Sequence, residues 1–137
     1  MDRINDKIEE IEKYIEELSD IIPINFEQYQ LEFKTKAACE RYFEKIIEAV
    51  VDLSFLIIKE NKLKLPEEDK QSFEILQNEK IISKELSEKL QDAKGMRNIL
   101  SHQYGKIDDE IVFESLKEQL VSDIEDFIKK IKKFLEK

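Results

Sequence analysis

The sequence has very few of the residues that interrupt helices, with only two glycines and two prolines in 137 residues. Glycine and proline are the main residues of tight turns, so this chain has few ways to build a fold with many short connections. Charged residues make up 40% of the chain and hydrophobic residues 41%. This composition predicts a helix-rich globular protein and excludes the collagen-like, disulfide-rich and disordered classes. The length predicts one domain that spans residues 1–137.

Cysteine and long apolar runs are also scarce. The single cysteine, Cys39, cannot form an intramolecular disulfide, and we interpret it as a small buried helix residue in a reducing compartment. The N-terminus carries no apolar segment typical of a secretory signal. The most apolar stretch, residues 46–58, contains Glu48 and Asp52 and is too short to cross a bilayer. We therefore expect a cytoplasmic protein that does not contact a membrane.

Positive charge is in the minority, because 23 lysines and arginines stand against 32 acidic residues and give a formal net charge of −9. This balance argues against capture of nucleic acid by a broad positive surface, and we expect no DNA ligand. An RNA-binding surface on this protein must be a local basic patch, or a partner must bring the positive charge.

Hydrophobic residues recur with helical spacing along most of the chain, and no strand-like alternation appears. The first stripe predicts a helix that ends at or before Pro23. A second helical region is predicted from about Phe26 to Lys59, with a kink near Thr35. The stripe of the first helix consists of Ile4, Ile8, Ile11, Ile15, Leu18 and Ile22.

The second helical region carries two apolar seams where a surface helix needs one. The first consists of Cys39, Phe43, Ile46, Val50, Leu53 and Ile57, and the second of Ile47, Val51, Phe55 and Ile58. Only a ridge formed by Arg41, Lys45, Glu48 and Asp52 stays polar. The surplus indicates either a central helix or a helix at a subunit interface, and the second possibility predicts a homodimer.

The remainder of the chain is predicted to form a short helix and two long ones. Residues 61–65 connect to the short helix, which has Pro66 in its first turn. Ser83 is the predicted N-cap of the next helix, and Asp108 or Asp109 that of the last. The inward face of the fourth helix is marked by Leu86, Leu90, Ala93 and Leu100. The fold class is therefore all-α, an antiparallel bundle of four main helices plus one short helix.

The residues that carry chemistry are concentrated between Gly95 and Gly105. His102 is the only histidine of the chain, and it follows Arg97 by five positions. Histidine exchanges protons near neutral pH, and arginine is the preferred bidentate clamp for a phosphate, so this pair indicates phosphodiester chemistry. No histidine or acidic spacing typical of a metal hydrolase occurs, and we expect no metal or other cofactor.

A helical projection separates the motif into two groups of side chains. Arg97 and Tyr104 fall on the inward seam, where an arginine needs a buried or cleft partner, while Asn98 and His102 fall together on an outer flank. His102 is predicted at the helix end, where unpaired carbonyls stabilise its protonated form. Each residue also has a structural interpretation: an ion pair for Arg97, a C-cap for His102, a turn hydrogen bond for Asn98 and a core-edge aromatic for Tyr104.

Beyond these residues, nearly the whole chain resembles the HEPN-domain proteins of the HepT type. Residues 97–104, R-N-I-L-S-H-Q-Y, are similar to the signature R-x4-H-x-Y of that family. Residues 41–52 resemble its long second helix, and residues 72–76 with 81–83 resemble its middle segment.

The resemblance implies a helical HEPN fold, usually dimeric, that acts as a metal-independent endoribonuclease toxin. It implies as partner a minimal nucleotidyltransferase antitoxin of the MNT type, which transfers AMP to the motif tyrosine, here Tyr104. The active-site roles carried over by the resemblance fall on Arg97, Asn98 and His102. The chain departs from this pattern in its net negative charge, which is unfavourable for a protein that binds RNA without a partner.

The residues themselves also allow a mechanism to be argued. RNA supplies its own nucleophile, the 2′-hydroxyl, so cleavage needs a base, an acid and a cation for the phosphorane. One histidine per chain supplies one proton-transfer group. A symmetric dimer would bring together two copies of His102 and two of Arg97, with Asn98 fixing the imidazole or holding the phosphate. The alternative function is a non-catalytic nucleotide-binding or regulatory partner of a nucleotidyltransferase, with Tyr104 as AMP acceptor.

Overall fold

The computed structural model describes residues 2–102 and 108–136, and the side chains of residues 3–100 and 108–136. All regular structure in this part of the chain is helical, and the predicted all-α bundle is confirmed. The elements follow in the order α1 (Asp2–Ile21), α2 (Phe26–Leu31), α3 (Phe33–Glu60), α4 (Asp69–Asn78), α5 (Lys84–His102), α6 (Asp109–Glu114), a π-helical segment (Ser115–Leu120) and α7 (Val121–Leu135). The last three elements form one continuous helical run, so four long helical units are present.

The first helix packs along α3 in antiparallel orientation. The Tyr42 hydroxyl donates to Glu17 at one end of this interface, and Lys7 approaches Asp52 to 3.7 Å near the other. The predicted stripe of α1 is buried from Ile4 to Leu18, because it provides the apolar face that covers α3. In the described residues, no helix is long and apolar enough to cross a membrane.

The third helix lies at the centre of the bundle, which explains its two apolar seams. It packs against α1, α2, α4, α5 and the π-helical segment. Ile47, Val51 and Ile58 of the second seam are buried inside the subunit, and Phe55 is half-buried. Of the two possibilities left open by the sequence, the central helix is therefore correct. The surplus seam does not support a homodimer, because the subunit itself covers it.

The predicted kink near Thr35 is wrong, because the helical region breaks earlier, at Glu32. This residue has φ −97° and ψ 76°, and it ends α2 and begins α3. The break makes α2 a second short helix that the sequence pattern did not separate. It lets Tyr29 leave the line of α3 and pack with its ring 5.0 Å from that of Phe113, where it is fully buried.

Helix starts follow the local sequence closely. The Ser83 hydroxyl accepts a hydrogen bond from the Leu86 amide at 3.0 Å, and the Asp108 carboxylate accepts from two amides of α6, which confirms both predicted caps. The prediction that Pro66 lies in the first turn of α4 is wrong. Glu68 is the N-cap instead, because a capping box with Gln71 fixes the start of this helix beyond the proline.

Candidate functional site

The fifth helix positions the arginine of the motif at the border between core and solvent. Leu86, Leu90 and Leu100 are buried, and Ala93 is partly buried, as the sequence predicts. Arg97 follows on the same side of α5 and keeps 19% of its side chain exposed. Its stem therefore packs against apolar surface while its guanidinium reaches a cleft.

That guanidinium forms an ion pair with Glu48 of the central helix α3, in which Nη2 donates to the carboxylate. The predicted need of Arg97 for a cleft partner is thus confirmed. Its Nε is buried and has no hydrogen-bond partner among the described residues. An unpaired buried donor is rare in proteins and marks a group whose arrangement needs a reason beyond stability.

The cleft around Arg97 has a volume of about 490 Å³ and opens between α1, α3, α5 and the start of α4. Four cationic and three acidic side chains line it, although the chain as a whole is strongly acidic. We call it the charged cleft, and its charged residues are Arg3, Lys7, Glu48, Asp52, Asp69, Lys94 and Arg97.

Three cations of the charged cleft, Lys7, Lys94 and Arg97, pair with carboxylates. Lys94 Nζ of α5 lies 3.1 Å from Asp69 Oδ2 of α4, and its side chain is only 9% exposed. Lys7 Nζ lies 2.9 Å from Glu10 and 3.7 Å from Asp52. The hydrogen bond with Glu10 raises the pKa of Lys7 and outweighs its partial burial, so this lysine stays charged at neutral pH.

The other predicted site residues have different positions. Asn98 is exposed on α5, one residue beyond Arg97, as the outer-flank prediction requires. His102 belongs to α5, but its side chain lies outside the described residues, and its predicted position at the helix end stays a prediction. Tyr104 and Gly105 also lie outside them. The structure thus brings Arg97 into the charged cleft with partners that the motif does not contain.

The chain on the far side of the motif is anchored at the same end of the bundle. Lys36 Nζ of α3 binds Asp109 Oδ2 at 2.7 Å, and Asp108 caps the helix that starts there. These contacts fix the start of α6, the first described helix after the motif. Tyr29 packs nearby, and burial together with the Glu40 charge raises the pKa of its hydroxyl.

Sequence reasoning missed three residues of the charged cleft that matter for Arg97. Glu48 was predicted only as part of a polar ridge, and Asp69 was not predicted to belong to a site. Lys94 received no role, although its position three residues before Arg97 places both on one face of α5. That spacing was the one signal available. Cys39, by contrast, is buried as predicted, and burial raises the pKa of its thiol to about 11.

Comparison with known proteins places the whole fold in one family. The family model for HepT-like ribonucleases matches residues 11–131. The mRNA nuclease HepT of Shewanella oneidensis is 28% identical over 131 residues, which is 96% of this chain and 97% of the relative. The tRNA nuclease HepT of Aphanizomenon flos-aquae is 26% identical over 113 residues, 82% of this chain and 77% of the relative.

The solved structures lead to the same result. The tri-AMPylated HEPN toxin of Shewanella oneidensis, determined in complex with an MNT antitoxin, superposes with a TM-score of 0.89. It is 26% identical in sequence, and the match covers 96% of this chain and 98% of that one. The resemblance read from residues 97–104 is therefore confirmed, and the chain belongs to the HepT-like ribonuclease family.

Proposed function

We propose that this protein is the endoribonuclease toxin of a toxin–antitoxin module and that it cleaves RNA without a metal ion. The observation that carries the proposal is Arg97, whose half-buried side chain faces the charged cleft and whose helix, α5, also carries His102. Family membership supports the ribonuclease activity, and the HepT relatives are named as nucleases of mRNA and of tRNA.

In the proposed reaction, the 2′-hydroxyl attacks the neighbouring phosphorus and the 5′-oxygen leaves, which gives a 2′,3′-cyclic phosphate. Arg97 would stabilise the charge that develops on the phosphorane oxygens. Its guanidinium is already oriented by Glu48 and shielded from water at Nε, so little reorganisation is needed when the charge develops. His102 would transfer the protons, and Asn98 would hold the imidazole or the phosphate from the adjacent flank.

The same mechanism requires two proton-transfer groups, while the chain contains one histidine. We therefore propose a homodimer in which two motifs face one phosphate, so that one His102 acts as base and the other as acid. Only the proton-transfer chemistry supports this dimer, because the apolar seams of α3 are covered within the subunit.

The cleavage test uses purified protein and a 5′-labelled RNA. Wild-type protein should cleave it equally well with and without EDTA, and His102→Ala and Arg97→Ala should each abolish cleavage. Arg97→Lys should remain strongly impaired, because lysine keeps the charge but lacks the bidentate fork. Arg41→Ala removes an exposed arginine of α3 and serves as the matched control with unchanged activity.

Circular dichroism should show the same helix content for all variants. EDTA-sensitive cleavage, or full activity in His102→Ala, would contradict the mechanism and favour a non-catalytic regulatory module. A monomer by light scattering in the active protein would remove the composite site.

We also propose that a nucleotidyltransferase antitoxin is the partner and that Tyr104 is its AMP acceptor. A relative of this chain was determined in the tri-AMPylated state with an MNT antitoxin, which supports this regulation. An adenylyl group two residues beyond His102 would bring a phosphate next to the cations meant for RNA. Cleavage should therefore fall after modification.

Incubation with ATP, magnesium and the cognate nucleotidyltransferase should add one or more AMP masses to the peptide that contains Tyr104. Tyr104→Phe should remain active after the same treatment, with no AMP on that peptide. Labelling at another residue, or inhibition of Tyr104→Phe as strong as that of the wild type, would show that the antitoxin acts by another route.

A further inference from the structure

Lys94 is the most deeply buried charged side chain of the charged cleft. Its residue is 7% exposed, while lysine is one of the residues that proteins almost never bury without a specific partner. It lies three residues before Arg97, so the two side chains start from the same face of α5 with Cβ atoms about 5–6 Å apart. An apolar residue would fill this position at lower desolvation cost, so its charge calls for a reason.

The counter-ion of Lys94 is exposed on its other side. Asp69 lies 3.1 Å from the ammonium, but 49% of its side chain is exposed. Asp69 is the first residue of α4, and the capping box of Glu68 and Gln71 already fixes the start of that helix. The carboxylate can therefore turn towards solvent without unwinding α4, and another oxyanion can then occupy its place.

Lys94 and Arg97 are oriented in different directions by their partners. Arg97 is held towards Glu48 of α3, whereas Lys94 is held towards Asp69 of α4. Two cations that diverge from one helix face bind two separate oxyanions more readily than they share a single oxyanion. Successive phosphates of a nucleic acid strand provide such a pair of oxyanions, and Arg97 is the proposed contact for the first.

We propose that Lys94 binds the RNA backbone phosphate next to the one at Arg97, and that this phosphate displaces Asp69. The proposal rests on the proposed function, since it takes single-stranded RNA as the ligand. It also explains how a chain with a net charge of −9 holds RNA, because the basic patch is local and is compensated by carboxylates until RNA enters. Lys94 contributes affinity and position, not proton transfer.

Binding is measured with a fluorescein-labelled single-stranded RNA and the His102→Ala protein, over a series of salt concentrations. Lys94→Gln in this background should weaken RNA binding. It should also make the negative slope of log K against log salt shallower by about 0.7, the value for one lost phosphate contact on a single strand. Asp69→Asn should raise the affinity, because it removes the competing carboxylate while leaving the lysine in place.

Lys89→Gln is the matched control, because Lys89 lies on the same helix, is half-exposed and pairs with Glu85 and Asp123 outside the charged cleft. Lys89→Gln should leave the slope of log K against log salt unchanged. A purely structural pair between Lys94 and Asp69 predicts instead that both Lys94→Gln and Asp69→Asn lower the melting temperature and that neither alters the salt slope. That result, or an absence of RNA binding, would overturn the inference.

The outcomes for this inference and for the proposed function can be told apart. Lys94-dependent binding of RNA by a wild-type protein that cleaves nothing would support the phosphate contact and contradict the nuclease. Cleavage that depends on Arg97 and His102, with unchanged KM and salt slope in Lys94→Gln, would support the nuclease and overturn the phosphate contact.

Discussion

The interface between α1 and α3 and the charged cleft beside α5 share the same central helix but are built in opposite ways. Along the interface, α1 contributes Ile8, Ile11 and Leu18, which are at most 4% exposed. In the charged cleft, cations of α1 and α5 meet carboxylates of α3 and α4, among them Glu48 and Asp69. One region is stabilised by the removal of apolar surface from water, and the other by pairing of charges that remain partly wet.

This difference determines how much each region depends on geometry. Hydrophobic burial is non-directional and scales with area, so an apolar stripe of the right period is sufficient to form the interface. An ion pair contributes only when both partners are oriented and desolvation is compensated, so the charged cleft requires four helices in the correct positions. The interface should therefore determine stability, and the cleft should determine activity.

The largest expected effect on stability comes from the interface. Ile11→Ala should lower the free energy of unfolding by about 2–5 kcal/mol, because it removes a fully buried side chain and leaves a cavity. Ile111→Ala, the same change at a residue that is 51% exposed, is the matched control and should cost less than about 1 kcal/mol. Urea denaturation measures both, and equal losses would contradict the assignment of Ile11 to the core.

A smaller effect is expected from the charged cleft. Glu48→Ala should lower the free energy of unfolding by about 1–3 kcal/mol, because it leaves the half-buried guanidinium of Arg97 without its partner. Glu12→Ala breaks the ion pair with Lys132, in which both side chains are about half-exposed, and should change stability by at most about 0.5 kcal/mol.

RNA cleavage by the same variants separates the effects of the two regions on stability and on activity. Glu48→Ala should cleave RNA more slowly than the wild type even at temperatures where it is fully folded, since Arg97 is no longer oriented towards the cleft. Ile11→Ala should keep its activity at temperatures where it stays folded. If Glu48→Ala cleaves RNA as fast as the wild type, then Glu48 does not position Arg97, and the division between the two regions does not hold.

Much of the fold was predictable because its signals are local. The stripe from Ile4 to Leu18 required only helical periodicity, and the caps at Ser83 and Asp108 required only the hydrogen-bonding capacity of one side chain. The break at Glu32 was not predictable in the same way. The break depends on the packing of Tyr29 against Phe113, a contact between residues that are far apart in the sequence.

The candidate site divides along the same line. Arg97 and His102 were identified from their spacing and from the chemistry of arginine and histidine, while the family resemblance gave Asn98 its active-site role and Tyr104 its role as AMP acceptor. The partner of Arg97 came only with the tertiary structure, because a carboxylate near in space is not recognisable by its sequence position. Glu48 precedes Arg97 by 49 residues, and Asp69 belongs to another helix than Lys94.

The sequence by itself determined the long helices, the caps at Ser83 and Asp108, the family motif and the requirement of Arg97 for a partner, because periodicity and the chemistry of single side chains act over a few residues. The tertiary structure decided that α3 is central and that its neighbours cover both of its apolar seams. It also decided that Glu48 and Asp69 are the partners of Arg97 and Lys94. The physical reason is that burial and ion pairing depend on distances between helices, and packing of the whole chain determines those distances.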